Sequence, residues 1–361
     1  MFIICILLGI VAIAAGTWAI LRIANSRTYK ITASNGIQEN IYVEIGGIQQ
    51  FMQIRGQDRS NPVALWLHGG PGFPLTYMNH SYQRSLENAF TMVCLEQRGC
   101  GRTYYKNGKS ANAPFDVLLS DLDEIVAYLK KRFNQDKIII IAQSWGTVLG
   151  IKYLEAHPEQ VSAYVGIGQV IQFAKGKVYA AQKAATLAEQ QQNSNDAARL
   201  AHLISEFEKA EHIEQINIRE LEELIMTSAK YLKANGELSA PKQIQTALTS
   251  PQVSLNDLKW FLFASSTENI ISTQRALMEY LYYGFNIQDV TLPETIPVIF
   301  IQGDCDYITP TDIVREYYDG IDAARKAMYM IEDAGHTPFL DHPQEFCEVV
   351  KTSITIIREE Q

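Results

Sequence analysis

Cysteine is scarce in this sequence, and what is missing from its pattern narrows the function before any motif is considered. There are five cysteines in 361 residues, one of them inside the apolar N-terminus, and the remaining Cys94, Cys100, Cys305 and Cys347 show no Cys-x-x-Cys spacing. A disulfide-stapled secreted scaffold is therefore excluded, and a reducing compartment is the easier fit. No His-Glu-x-x-His and no paired cysteines offer a metal site, and no Gly-x-Gly-x-x-Gly loop leads into a helix, so neither a metal nor a nucleotide cofactor is expected. Basic stripes are missing too. With a net charge of −9, the chain is not a nucleic-acid partner. There is no internal repeat, and the composition, 47% hydrophobic and 20% charged, is that of a globular protein.

What is present begins with "AQSWGT", residues 142–147. A β-branched run, "KIIIIA", precedes Ser144 and suits a strand buried on both faces of a parallel sheet. The following "WGTVLGIKYLEAHPE" has helical spacing and stops near Pro158. Ser144 thus falls at a strand-to-helix turn, where a nucleophile elbow holds its hydroxyl clear of the sheet. Small residues are needed two places either side, and Ala142 and Gly146 supply them.

Three further stretches complete a constellation. "PVALWLHGGPG", residues 62–72, ends a second apolar run in glycines whose N–H groups can turn toward a substrate oxygen, with the N–H of Trp145 completing an oxyanion hole. "IPVIFIQGDCDYITP" is a buried strand followed by acids, and "KAMYMIEDAGHTPFLDHP" sets His336 just past another strand. The chain order of serine, aspartate and histidine is that of an α/β-hydrolase triad. A hydroxyl needs an imidazole to take its proton, and the imidazole needs a carboxylate to fix its tautomer. Two aspartates compete for the last role. Asp306 is preferred, and Asp304, nearer the strand end, reads as orienting the loop. His68 reads as a structural member of the glycine loop.

Taken together, "HGGPG", "EQRGCGRT", "AQSWGT", "HPEQVSAYVGIGQV", "GDCD" and "AGHTPF" resemble the proline iminopeptidase family of α/β-hydrolases, with matches spread over residues 42–350. The resemblance implies a mostly parallel central sheet with helices on both faces and an inserted helical cap. It also implies Ser144 as nucleophile, His336 as general base, Asp306 as its partner, and Gly69 or Gly70 with Trp145 as oxyanion donors. Departures are Glu96 in place of an aspartate, Ala142 of a glycine and Thr103 of a serine; none removes a catalytic group. Such enzymes are expected to hold a peptide's free amino end with acids of the cap. Most of this cap's glutamates sit in runs that read as solvated helix faces. Glu268 and Glu279, nearest the aromatic-rich tract, are the expected substrate-binding pair.

The N-terminal stretch Phe2–Leu21 is free of charge and long enough, at about 1.5 Å per residue, to cross roughly 30 Å of hydrocarbon. It predicts an uncleaved single-pass membrane anchor, and Arg22, Arg27 and Lys30 behind it place the catalytic domain on the cytoplasmic side. The expected organisation is an anchor at 2–21, a linker at 22–40, hydrolase core at 41–170, cap at 171–292 and the rest of the core at 293–361. The sequence therefore reads as a serine hydrolase working through an acyl-enzyme, an aminopeptidase releasing N-terminal proline or another small apolar residue, with the lipid bilayer as a partner. A membrane-associated carboxylesterase, lipase or amidase with the same triad is the alternative, and a non-catalytic binding module on the same fold is a third.

Overall fold

β-Branched runs without a polar break become strands whose two faces are both covered. In a computed structural model, residues 2–108, 112–321, 323 and 325–359 are described, with side-chain surroundings described from residue 15 to residue 354 apart from the interruptions. Eight strands form one sheet: β1 (Ile37–Ile45), β2 (Ile48–Gly56), β3 (Val63–Leu67), β4 (Thr91–Glu96), β5 (Ile138–Gln143), β6 (Val161–Ile167), β7 (Val298–Gly303) and β8 (Lys326–Ile331). Their order is β1-β2-β4-β3-β5-β6-β7-β8. The pairs β1–β2 and β2–β4 are antiparallel and the rest are parallel. Strand β5 shows why. Ile138, Ile140 and Ala142 join the core on one face, Ile139 and Ile141 the core on the other, and all are buried.

The helices are α1 (Phe2–Tyr29), α2 (Gly101–Lys106), α3 (Phe115–Phe133) and α4 (Trp145–Ala156); then α5 (Phe173–Gln190), α6 (Ser194–Phe207), α7 (Ile218–Leu232), α8 (Ala240–Leu248), α9 (Leu255–Ala264), α10 (Thr267–Thr273) and α11 (Arg275–Glu279) between β6 and β7; and α12 (Thr311–Gly320), α13 (Pro338–Asp341) and α14 (Pro343–Glu359). The insertion of α5 to α11 in one sheet crossover is the helical cap. Helix α1 runs on to Tyr29 and β1 starts at Ile37, so only a short part of residues 22–40 is without regular structure.

The transmembrane expectation receives no support here. Among the described residues no helix is long and apolar enough to cross a membrane, and the side chains of residues 2–14, on which the expectation mostly rests, lie outside those described. Past that point one side of α1 is held against the protein. Trp18, Arg22 and Asn25 donate hydrogen bonds to carbonyls of Leu248, Val253 and Thr249. Single-pass localisation loses its structural basis in the same way.

The turn between β5 and α4 is tight. A Cβ on Gly146 would stand 2.3 Å from the Leu67 carbonyl oxygen and 2.9 Å from that of His68. Alanine favours a helix over glycine by about 1 kcal/mol, but these obstacles are backbone atoms at the end of β3 and in the loop that follows it, and overpacking costs about 1–3 kcal/mol. Gly146→Ala is therefore expected to destabilise the protein, which a lower urea midpoint at unchanged slope would register. The departure at Ala142 is accommodated because the methyl faces a glycine, with the Cβ position of Gly150 only 3.1 Å away.

Candidate active site

All the glycine and acid loops singled out in the sequence leave the sheet at one edge, the carboxyl ends of β3 to β8, which is where open parallel sheets hold their ligands. Ser144 stands there between β5 and α4 with φ 53° and ψ −121°. A non-glycine residue at positive φ costs on the order of 1–3 kcal/mol and persists only where its surroundings enforce it. The enforcement is visible. Its N–H donates to the Ile167 carbonyl at 2.9 Å, and its own carbonyl accepts from the Thr147 N–H and hydroxyl at 2.7 and 2.6 Å.

The loop after β3 lies against this turn. A Cβ on Gly69 would be 3.1 Å from the Cβ of Ser144, so the Gly69–Gly70 amides border the serine. Trp145 opens α4, and an N–H in a helix's first turn has no intrahelical acceptor. Together these amides can meet a developing oxyanion beside the Ser144 hydroxyl. His68 braces the loop from within. Its Nδ1–H donates to the Gly69 carbonyl at 2.8 Å and its Nε2 accepts the Gln97 N–H at 3.2 Å, and burial lowers its pKa to about 4, keeping the ring neutral.

Beyond β7 and β8, His336 and Asp306 meet, with the His336 Nδ1–H donating to Asp306 Oδ2 at 2.8 Å. Asp306 also accepts the N–H groups of Ile308 and Thr309 and the Thr309 hydroxyl. Burial pushes its carboxyl upward, but the His336 imidazole and these hydrogen bonds outweigh it and hold the pKa below the ordinary carboxylate value. Asp304 is engaged elsewhere, accepting the Ala334 N–H at 3.3 Å.

Three participants were not anticipated. Gly168, at φ 58°, leaves room for the imidazole, since a Cβ there would lie 2.9 Å from His336 Cε1. Thr309 fixes the acid. Gln97 joins two loops, its Oε1 accepting the Trp145 indole N–H at 3.1 Å and its amide reaching the His68 carbonyl at 3.5 Å. "GIGQV" at the end of β6 is the available signal for Gly168; single residues such as Gln97 and Thr309 give none. Gln97→Met keeps the volume but strands a buried indole N–H, and misplacement near the reacting atoms costs about 10²-fold. The expected result is a kcat drop of roughly that size with KM little changed.

Cap helices are fastened to this rim. Arg102 makes a two-pronged pair with Asp257 of α9, Nε to Oδ1 at 2.8 Å and Nη2 to Oδ2 at 2.6 Å. The Trp260 indole donates to the Gly72 carbonyl, and Gln274 to that of Gly99. Glu96 accepts the Arg102 N–H and the Thr76 hydroxyl; burial raises its pKa, with Arg102 opposing and Asp257 adding to the rise. The two cap glutamates sit apart from these contacts. Glu279 accepts the Ile213 N–H at 2.7 Å and pairs with His212 at 2.8 Å, and Glu268 is exposed in the first turn of α10. Cys100 is buried and its pKa raised by that burial, while Cys305 is partly exposed with its thiol pushed up to about 11.

A serine on a strained strand-to-helix turn, edged by a glycine loop and sharing its sheet edge with an imidazole–carboxylate pair, is the arrangement of a serine hydrolase. The chain belongs to the alpha/beta hydrolase fold family, whose profile matches residues 62–343. It is 27% identical over 313 residues to the Bacillus subtilis protein named Probable aminopeptidase YbaC, covering 85% of this chain and 93% of that one. It is 22% identical to the proline iminopeptidase of Lactobacillus delbrueckii subsp. bulgaricus, over 86% of this chain and 95% of the relative. The crystal structure of a Mycobacterium smegmatis proline iminopeptidase superposes with a TM-score of 0.60 at 16% identity, covering 88% and 98% of the two chains.

Proposed function

We propose that the protein is an aminopeptidase that releases an N-terminal proline or another small apolar residue through an acyl-enzyme on Ser144. The observations that support the chemistry are the positive-φ Ser144 turn bordered by Gly69 and, at the same sheet edge, a His336–Asp306 pair whose imidazole packs on Gly168, next to the Ile167 that accepts the Ser144 N–H. Ser144 Oγ attacks the scissile carbonyl, and His336 takes its proton and returns it to the leaving amine. Asp306 holds the imidazole's Nδ1–H and stabilises the imidazolium. Amides of Gly69, Gly70 and Trp145 receive the oxyanion. Water then repeats the cycle, with His336 again moving the proton, to free the product. The peptidase assignment is drawn from the names of the relatives, and an amine-binding role for Glu268 and Glu279 stays within that assignment.

A second reading, an esterase acting on apolar acyl groups with the same residues, is favoured by Phe73, which follows the glycine loop and is 46% exposed. One comparison separates them. The full chain and its Ser144→Ala variant are given a proline arylamide, its N-acetylated form and a short-chain aryl ester. Cleavage of the free arylamide but not the acetylated one, lost in the variant, supports the exopeptidase. Ester turnover with both arylamides intact replaces it with the esterase.

A further inference from the structure

The chain has 40 acidic and 31 basic residues, yet one of its faces reverses that balance. The second half of α1 exposes Trp18 and Ile23, α8 exposes Leu248, and α9 exposes Leu255 and Leu262 at 75% and 71%. Ten of the twelve large hydrophobic residues exposed among those described lie on α1, α8, α9 or at Phe73; the other two are Tyr42 and Met226. These elements are joined. The Trp18 indole donates to the Leu248 carbonyl at 2.8 Å and Arg22 to that of Val253 at 3.1 Å. At the far side Trp260 of α9 bonds the Gly72 carbonyl, beside Phe73.

The exposed charges on α1, α8 and α9 are basic, and the first exposed acid beyond α9 is Glu268 at the start of α10. From Ser239 to Ser265 the charged residues are Lys242, Asp257 and Lys259, and Asp257 is buried against Arg102. Both lysines are exposed. Along α1 the charges are Arg22 and Arg27. The face is also rigidly attached. The Arg55 guanidinium lies 3.4 Å over the Tyr29 ring at the end of α1, donates to the Tyr29 carbonyl and forms a buried pair with Glu87.

An apolar patch of this extent marks an interaction site. Aromatic and aliphatic side chains interleaved with lysine and arginine fit the boundary of an anionic bilayer, where each cation near the surface adds attraction. In sequence, the patch on α1 is preceded by an uncharged apolar run, residues 2–14, a composition that suits hydrocarbon rather than the polar rim of a protein partner. We propose that α1, α8, α9 and Phe73 form a face that rests on an anionic lipid surface, bringing the rim of the active site to the lipid–water boundary. The contact requires no helix to span the membrane and holds for either substrate reading.

The test uses the full chain with vesicles of phosphatidylcholine, with and without phosphatidylglycerol, whose acyl chains are brominated to quench tryptophan. Because Trp18 itself lies on the face, the reporters are built in a Trp18→Phe background, where the remaining Trp66, Trp145 and Trp260 are buried: one on the face by Leu262→Trp and one away from it by Met226→Trp, on α7 where Met226 is 64% exposed. Loss of fluorescence is expected in Leu262→Trp and not in Met226→Trp, dependent on phosphatidylglycerol and reduced by Lys242→Gln with Lys259→Gln. Unchanged hydrolysis, in every variant, of whichever water-soluble arylamide or ester the parent cleaves shows that folding is intact. Co-flotation with vesicles while Leu262→Trp stays unquenched would overturn the proposal, because attachment would then run through residues 2–14 alone. Absence of any vesicle association would overturn it as well.

Discussion

Ser144→Ala is expected to lower kcat on any substrate the protein turns over by on the order of 10⁶-fold, and to abolish labelling by a fluorophosphonate probe. The size follows from the mechanism. Without the hydroxyl no acyl-enzyme forms, and what survives is the contribution of oxyanion donors and binding to direct attack by water. Folding should be unaffected, since alanine meets the same penalty at φ 53° that serine does. Ser144→Gly separates the two roles. It also removes the nucleophile, yet glycine occupies positive φ without a Cβ clash, so its thermal midpoint should rise by an amount equivalent to about 1 kcal/mol. Residual turnover within tenfold of the parent in either variant would mean that the reaction does not pass through Ser144. A midpoint that falls in Ser144→Gly would mean that the turn stores no strain.

The core was legible because its signals are local. "KIIIIA" codes a doubly covered strand through β-branched residues alone, and β5 occupies Ile138–Gln143. The glycine after each strand marks a turn that only a small residue can make, which is why "HGGPG", "AQSWGT" and "AGHTPF" could be placed at strand ends. The choice between Asp304 and Asp306 was a question of two residues in one loop. The sequence preference for Asp306 rested on its distance from the strand, and in the structure it is this carboxylate that His336 meets.

Contacts that span the chain were not legible. Arg102 and Asp257 are 155 positions apart, and nothing in either neighbourhood points to the other; buried Asp257 also closes a capping box with Ser254 at the start of α9. Gln97 reaches Trp145 across 48 positions. Glu268 and Glu279 were favoured for their nearness to an aromatic tract, but nearness in sequence does not fix where a carboxylate points. Glu279 turns to the Ile213 amide. The N-terminal helix is the instructive case. Its hydropathy is a property of composition, whereas the bonds from Trp18, Arg22 and Asn25 to the α8–α9 region depend on tertiary packing that composition does not encode.

Asp306→Asn should reduce kcat by about 10⁴-fold while leaving the fold in place. The carboxylate accepts the His336 Nδ1–H, and that hydrogen bond leaves Nε2 free to take the serine proton. An amide nitrogen in the same place donates instead, favouring the tautomer with the proton on Nε2, which cannot act as the base. A stability measurement provides an independent check, and its sign follows from linkage. Because the folded-state pKa of Asp306 lies below the ordinary carboxylate value, its ionised form favours the folded protein at pH above that ordinary value. The contribution is lost as pH falls through the lowered folded-state pKa. Asp306→Asn has no such group, so urea midpoints of parent and variant should differ most at neutral pH and converge on acidification. A gap that widens toward acid would mean that burial, not the imidazole and its hydrogen bonds, dominates this carboxyl, and the assignment of Asp306 as the partner of His336 would fall with it.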